Sequence, residues 1–111
     1  MNHRTRIFLA SLLSVALPAL TFAAAAKDNW AQYCSRCHGV DGSGDTKIGK
    51  KLGLKDYSSA DMQAKMTDDD MLKTILQGAT KEGKQRMAPY QDKLSADDAK
   101  ALVAFVRSLK K

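Results

Sequence analysis

Cys34-Ser35-Arg36-Cys37-His38 is the stretch whose reading decides this chain. Two thiols three positions apart lie along one edge of a helical turn, with an imidazole directly after the second. That spacing suits addition of both sulfurs across the two vinyl groups of one haem, which places the imidazole beneath the iron as proximal ligand. The rival chemistries fail on residue supply. Zinc needs four ligands, and beyond residue 26 the chain offers two cysteines and a single histidine. A thioredoxin-like redox pair belongs to a βαβ pattern, and none is present. A disulfide across two intervening residues restrains almost nothing. The expectation is therefore one haem c, covalently held by Cys34 and Cys37, with His38 on the iron.

Upstream of the motif, residues 1–26 read as a secretory signal. His3, Arg4 and Arg6 give a positive start, an apolar stretch runs from Ile7 to Phe22, and small residues Ala23 to Ala26 follow. Cleavage fits after Ala23, Ala25 or Ala26. The alternative, an uncleaved anchor, requires a span of roughly 20 apolar residues, and this run is short of that. No cysteine lies at the cleavage region to accept a lipid. The expectation is a periplasmic, bacterial-envelope product with no stable membrane insertion, whose single domain covers 27–111.

Those 85 residues are few to bury a self-sufficient core, so a large apolar group at the centre answers a real need. Loss of Arg4 and Arg6 takes the formal charge from +6 to +4, since all twelve acidic residues lie after Ala26; two haem propionates lower it further. Modest positive charge favours loose docking on acidic protein surfaces. The basic residues are spread, no recognition motif occurs, and nucleic acid is excluded as a partner. A monomer is expected.

Downstream, the pattern is helical. A short helix is predicted from about Asp28 to Cys37, with Trp30, Tyr33 and Cys34 on one side. Gly39, Gly42 and Gly44 open a loop. Ser58 or Ser59 can cap a turn over 60–65. Thr67 followed by Asp68, Asp69 and Asp70 makes a strong helix start, continued by Met71, Leu72, Ile75 and Leu76 and stopped by Gly78. The stretch 79–90 reads as a basic loop. Ser95 with Asp98 opens the last helix, whose buried stripe is Leu102, Val103, Phe105, Val106 and Leu109. With no strand alternation, the fold class is all-α: three to four helices and long loops.

A sixth iron ligand has to come from elsewhere. His3 leaves with the signal, so a soft thioether is the natural donor, and Met62, Met66, Met71 and Met87 are available. Met71 belongs to a helical apolar stripe, and Met62 and Met66 sit near helix ends as gap-fillers. Met87 lies in the loop before Pro89, 49 residues after His38, far enough along the chain to return on the opposite haem face.

At this point residues 27–111 resemble class I cytochrome c, the small monohaem electron carriers. The resemblance rests on Cys34-Ser35-Arg36-Cys37-His38-Gly39, Thr67–Gly78, Met87-Ala88-Pro89-Tyr90, and Leu94-Ser95 leading into the last helix. It implies a small cytochrome c fold, a crossing of first and last helices at Trp30 and Phe105, and Met87 as axial ligand. The family often carries Gly-Pro-x-Leu, whose proline carbonyl accepts the proximal imidazole N–H. Here Gly49-Lys50-Lys51-Leu52 stands in its place, leaving the Lys50 carbonyl as the expected acceptor.

His38 and Met87 would then close both axial positions and leave no substrate site. The expected function is a periplasmic carrier of single electrons and not an enzyme. An open-site haem enzyme or gas sensor requires Met87 to be displaced, while a subunit of a larger complex uses the same chemistry. Ile48, Leu52, Leu54, Tyr57, Leu72, Ile75, Leu76, Tyr90 and Leu94 are candidate pocket residues. Lys81, Lys84, Arg86 and Lys93 are candidates for a rim that meets redox partners with acidic docking surfaces.

Overall fold

The computed structural model describes residues 11–14 and 18–111, with side chains at 11–14 and from 21 onward. Half of the expected signal, residues 1–10 and 15–17, lies outside the described residues. The first helix, α1, runs Pro18–Asn29. Proline suits a first helical turn, and the alanine run behind it has high helix propensity. The predicted start at Asp28 is therefore ten residues late. α1 passes directly into a π-turn, Trp30–Cys34, and then into α2, Ser35–His38. No sequence signal announced the wider turn. Within it Trp30 and Cys34, four residues apart on one face, are both buried just before the chain reaches His38.

Three short helices follow: α3 at Lys47–Leu52, α4 at Ala60–Ala64 and α5 at Asp68–Gln77. Each has a hydroxyl cap. Thr46, Ser59 and Thr67 accept from the backbone N–H of Gly49, Met62 and Asp70 respectively. Ser59 is thus the α4 cap, whereas Ser58 is buried and bonded to Asp56. The last helix, α6, spans Ala96–Ser108 and opens with a reciprocal box. Asp98 N donates to Ser95 Oγ and Ser95 N to Asp98 Oδ2, both at 3.0 Å.

The stretch read as a loop contains a two-stranded antiparallel hairpin, β1 at Ala79–Lys81 and β2 at Lys84–Met87. Glu82 and Gly83 both have positive φ, 54° and 75°, as a two-residue hairpin turn requires. The strands are short and almost wholly exposed, so no buried face imposes the period-two pattern by which strands are recognised. The chain remains mostly helical, in agreement with the small cytochrome c architecture.

The core sits where α1 crosses α6. Ala26, Trp30, Cys34, Leu94, Leu102 and Val106 form its buried cluster, with Tyr57, Met71, Ile75 and Phe105 packed against it. Trp30 meets Phe105 at 5.5 Å between centroids, tilted by 43°. Two polar side chains tie the α4 region to α6. Gln63 Nε2 donates to the carbonyls of Tyr57 (2.7 Å) and Val106 (2.8 Å). Arg107 donates to the Gln63 and Met66 carbonyls, both at 2.7 Å, and to Asp68 Oδ1 at 2.9 Å. Among the described residues no helix is long and apolar enough to cross a membrane.

Gln63 is 4% exposed, so Gln63→Leu keeps the volume but removes the donor to the Tyr57 carbonyl and one of two donors to the Val106 carbonyl, which keeps Leu109 N. The expected cost is about 2–3 kcal/mol, read as a lower urea midpoint at unchanged slope.

Candidate functional site

The backbone at Cys37 and His38 is pinned before any side chain is considered. Gly39 N donates to Ser35 O at 2.8 Å, and Gly44 N donates to His38 O at 2.7 Å. Thr46 Oγ1 donates to Cys37 O at 2.7 Å while accepting from Gly49 N at 2.8 Å. Gly49 has no room for a side chain: a Cβ there would stand 2.7 Å from Cys37 O and against the Gly44 carbonyl. The glycine loop that sequence reading left irregular is therefore the clamp on the motif.

The His38 ring lies between two aromatic neighbours. Tyr57 stacks on it at 5.2 Å with a 26° interplanar angle, and Trp30 flanks it at 5.8 Å. Trp30 Nε1 donates to Gly39 O at 3.0 Å, which fixes the indole against the turn. Burial pushes the His38 pKa down, which favours the neutral, ligand-competent imidazole. Its Nδ1 is buried and has no hydrogen-bond partner. The expected contact with Lys50 is not made: that carbonyl accepts Gly53 N at 3.3 Å, where Gly53 caps α3 in the left-handed region.

A cavity of about 290 Å³ opens against this ring, near the lower end of the roughly 300–1,000 Å³ usual for cofactor sites. Trp30, Cys34 and His38 line it from the motif helix, and Leu102 and Val106 from α6. Met66, Met71, Thr74 and Ile75 line it from the α5 side, with Tyr57 and Met87 completing the wall. The only charged lining residues are Lys55, Lys65 and Asp70.

Both cysteines are free, Cys34 buried and Cys37 half-buried. Burial, with the Cys37 charge second, pushes the Cys34 thiol up to about 11. A thiol so hard to ionise makes a poor thiol–disulfide exchange nucleophile. An apolar cavity bearing a thiol, an imidazole with one sealed nitrogen, and three thioethers fits a haem c rather than a hydrated ion. Among the described residues no group of three metal-binding side chains offers an alternative centre.

The structure thus brings Cys34, His38 and Met87 to one cavity. Of the sequence-predicted pocket residues, only Tyr57 and Ile75 line it. Leu94 is buried in the core instead. Tyr90 braces the far end of the hairpin through its hydroxyl, which donates to Tyr33 O at 3.1 Å. Sequence reading missed Trp30, Thr74, Leu102 and Val106 as lining residues, and it assigned Met66 and Met71 to packing alone. The spacing 71, 74, 75 on α5 and 102, 106 on α6 held that information, but a helix face does not say whether it meets a neighbour or a cofactor.

Residues 22–106 match the family model described as cytochrome c oxidase, cbb3-type, subunit III. The chain belongs to this cytochrome c family. Among solved structures, it resembles the KustC0563 c-type cytochrome with 36% identity and a TM-score of 0.69, over 78% of this chain and 98% of that one. A Tyr-to-Phe variant of the same cytochrome aligns at 35% identity and a TM-score of 0.67, over 77% and 98%. No curated protein matches the chain. Membership implies a covalently bound haem c and haem-based electron transfer for this small, class I-like cytochrome.

Met87 is held by a close approach that only glycine permits. Gly78 has φ +76°, and a Cβ on it would come within 2.5 Å of Met87 O and 2.9 Å of Pro89 N. Tyr90 N to Ile75 O (3.1 Å) and Gln91 N to Leu76 O (3.2 Å) continue the seam. At Gly83, φ is also positive, +75°, but a Cβ meets nothing within 4 Å. Gly83→Ala should therefore cost only its backbone strain, about 1–2 kcal/mol. Gly78→Ala should cost more, by about 1–3 kcal/mol for the added overlap. Paired urea midpoints measure the difference, and equal losses would show that the seam is not close-packed.

Proposed function

We propose that Cys34 and Cys37 each form a thioether to a single haem c, that His38 and Met87 are its axial ligands, and that the processed protein carries single electrons in the periplasm. The observation that carries this reading is the meeting of Cys34, His38 and Met87 on one cavity, although Met87 lies 49 residues beyond the histidine. When bound, haem c supplies an iron that accepts and returns one electron. The protein's part is to present a neutral imidazole from one side and a thioether from the other, inside apolar walls that favour the less charged ferrous state.

Met66 and Met71 line the same cavity, so the choice among thioethers rests on what each already does. Met71 packs on the core cluster, and the Met66 backbone is tied to Arg107. Met87 ends a strand that is otherwise exposed, and its carbonyl abuts Gly78; its side chain has no comparable packing duty. With both axial positions closed by protein, the site has no place for a substrate, which supports a carrier rather than an enzyme.

Lys81, Lys84 and Arg86 stand exposed on the hairpin beside Met87, a basic surface suited to an acidic redox partner. Lys93 is less free, with its Nζ 5.7 Å from the Tyr33 ring centroid and 5.8 Å from that of Tyr90. Export follows from the signal-like residues 1–26. Ala26 is 2% exposed in the core, so a cut after Ala26 removes a packed methyl, and a cut after Ala25 buries a charged amine. We place the cut after Ala23, which moves the start of the domain from residue 27 to Ala24.

In the ferric protein, Met87→Ala should abolish the weak red sulfur-to-iron charge-transfer band, whereas Met71→Ala should retain it and lower stability by about 2–4 kcal/mol. The reverse pattern transfers the ligand role to Met71. The intact mass of exported protein should correspond to Ala24–Lys111 plus one haem; a chain starting at Lys27 refutes the proposed cut. Electron-transfer rates to an acidic partner should fall as ionic strength rises and the screening length shrinks below about 8 Å. Salt-indifferent rates remove the hairpin from docking.

A further inference from the structure

The cavity carries an asymmetry of charge that the axial ligands and thioethers leave unexplained. Its walls carry formal charge at three places: Lys55, in the loop after α3; Lys65, which caps the C-terminus of α4; and Asp70, in the first turn of α5. The two ion pairs among the described residues are Lys50–Asp45 and Arg107–Asp68, so neither cavity lysine is committed to a carboxylate. Asp70 uses its backbone N–H on the Thr67 hydroxyl and also lacks a salt bridge. Two cations against one anion leave the mouth of an apolar cavity with a net positive charge. A cavity built for a wholly apolar occupant has no use for them.

The lysines also share a wall that is not the wall of the thiols. Cys34 and Cys37 belong to the motif helix, which is braced by Tyr33 and Tyr90 toward the hairpin. Lys55 and Lys65 flank the segment 57–64, which is anchored separately. Gln63 holds it to Val106, Arg107 holds the Gln63 and Met66 carbonyls, and Tyr57 stacks on His38. A haem c bears its two thioether carbons on one side of the macrocycle and its two propionate carboxylates on the side away from them.

Resting on the haem reading above, we propose that Lys55 and Lys65 are the propionate-binding residues of this cytochrome. Each side chain reaches the mouth of the cavity from a fixed backbone position and offers an ammonium to a carboxylate, with Asp70 limiting the site to the excess of one positive charge. The arrangement would orient the macrocycle, with its carboxylates toward the 55–65 wall and its thioether side toward the motif helix that carries Cys34 and Cys37. It also sets the charge felt at the iron. A carboxylate paired with an ammonium stabilises the ferric state less than a bare one does, so the two lysines hold the potential up.

The test uses the haem-loaded protein. Lys55→Gln and Lys65→Gln should each shift the ferrous–ferric equilibrium about three- to tenfold toward ferric, roughly 30–60 mV at 59 mV per decade for one electron. Lys55→Arg and Lys65→Arg should restore it. Lys100→Gln, on the exposed face of α6, provides the control for loss of a distant charge. A crystal structure of the loaded protein should place the propionate oxygens within ion-pair distance of Lys55 and Lys65 Nζ. Propionates directed at the hairpin, or glutamine variants no different from Lys100→Gln, overturn the assignment while leaving the haem reading intact. Failure of the wild-type chain to retain covalent haem overturns both.

Discussion

The rest of the structure depends on Trp30. Its indole packs on Phe105 where α1 crosses α6, lies beside the His38 ring, and donates through Nε1 to the Gly39 carbonyl. One side chain thereby joins the hydrophobic core, the ring proposed as the iron ligand, and the turn that ends the Cys34–His38 motif. A buried indole N–H needs an acceptor, and supplying one from the motif's own backbone couples packing to the geometry of the site. Trp30 and Cys34, four residues apart on one helical face, are both buried one turn before the histidine.

Around that anchor the chain spends its polar groups on positioning backbone. Thr46 joins Cys37 to Gly49, Gln63 joins two carbonyls 49 residues apart, and Arg107 gathers the ends of α4 and the start of α5. These side chains replace the regular secondary structure that short helices cannot provide. A domain of this size has little apolar surface to bury, so walls that must stand apart around a cofactor need such ties. The cavity is consequently a built feature: its α5 side is hung from α6 through Arg107 and Gln63 rather than collapsed onto the motif helix.

What was legible in the sequence was whatever depends on local chemistry. The caps at Thr67 and Ser95, the stop at Gly78 and the α6 stripe follow from residue type at fixed spacing, the Trp30–Phe105 crossing was implied by the family resemblance alone, and the structure contains each of them. The start of α1 was misplaced because an alanine run carries no periodic signal separating a leader from a packed helix. The hairpin was missed because its strands bury nothing. Pocket residues were mostly misassigned for a different reason: Ile48, Leu52 and Leu54 are apolar and near the motif in sequence, but membership of a cavity wall depends on how helices are hung. Leu102 and Val106, distant in sequence, take those places.

The imidazole behind the proposed iron site shows how one local departure propagates. With Gly49-Lys50 in place of a Gly-Pro pair, α3 runs on to Leu52 and closes with Gly53 in the left-handed region, and the Lys50 carbonyl accepts the N–H of that cap and not the imidazole. Nδ1 of His38 is left sealed and unpaired, and the ring is oriented by Tyr57 and Trp30 stacking instead of by an acceptor. Orientation is preserved, but the other effect of such an acceptor is lost: it would have made the imidazole a more basic ligand. A less basic imidazole stabilises ferric iron less. On this reading it acts in the same direction as a thioether ligand, apolar walls and lysine-paired propionates. The departure that cost the site a hydrogen bond therefore agrees in sign with every other feature of the cavity, each favouring the reduced state.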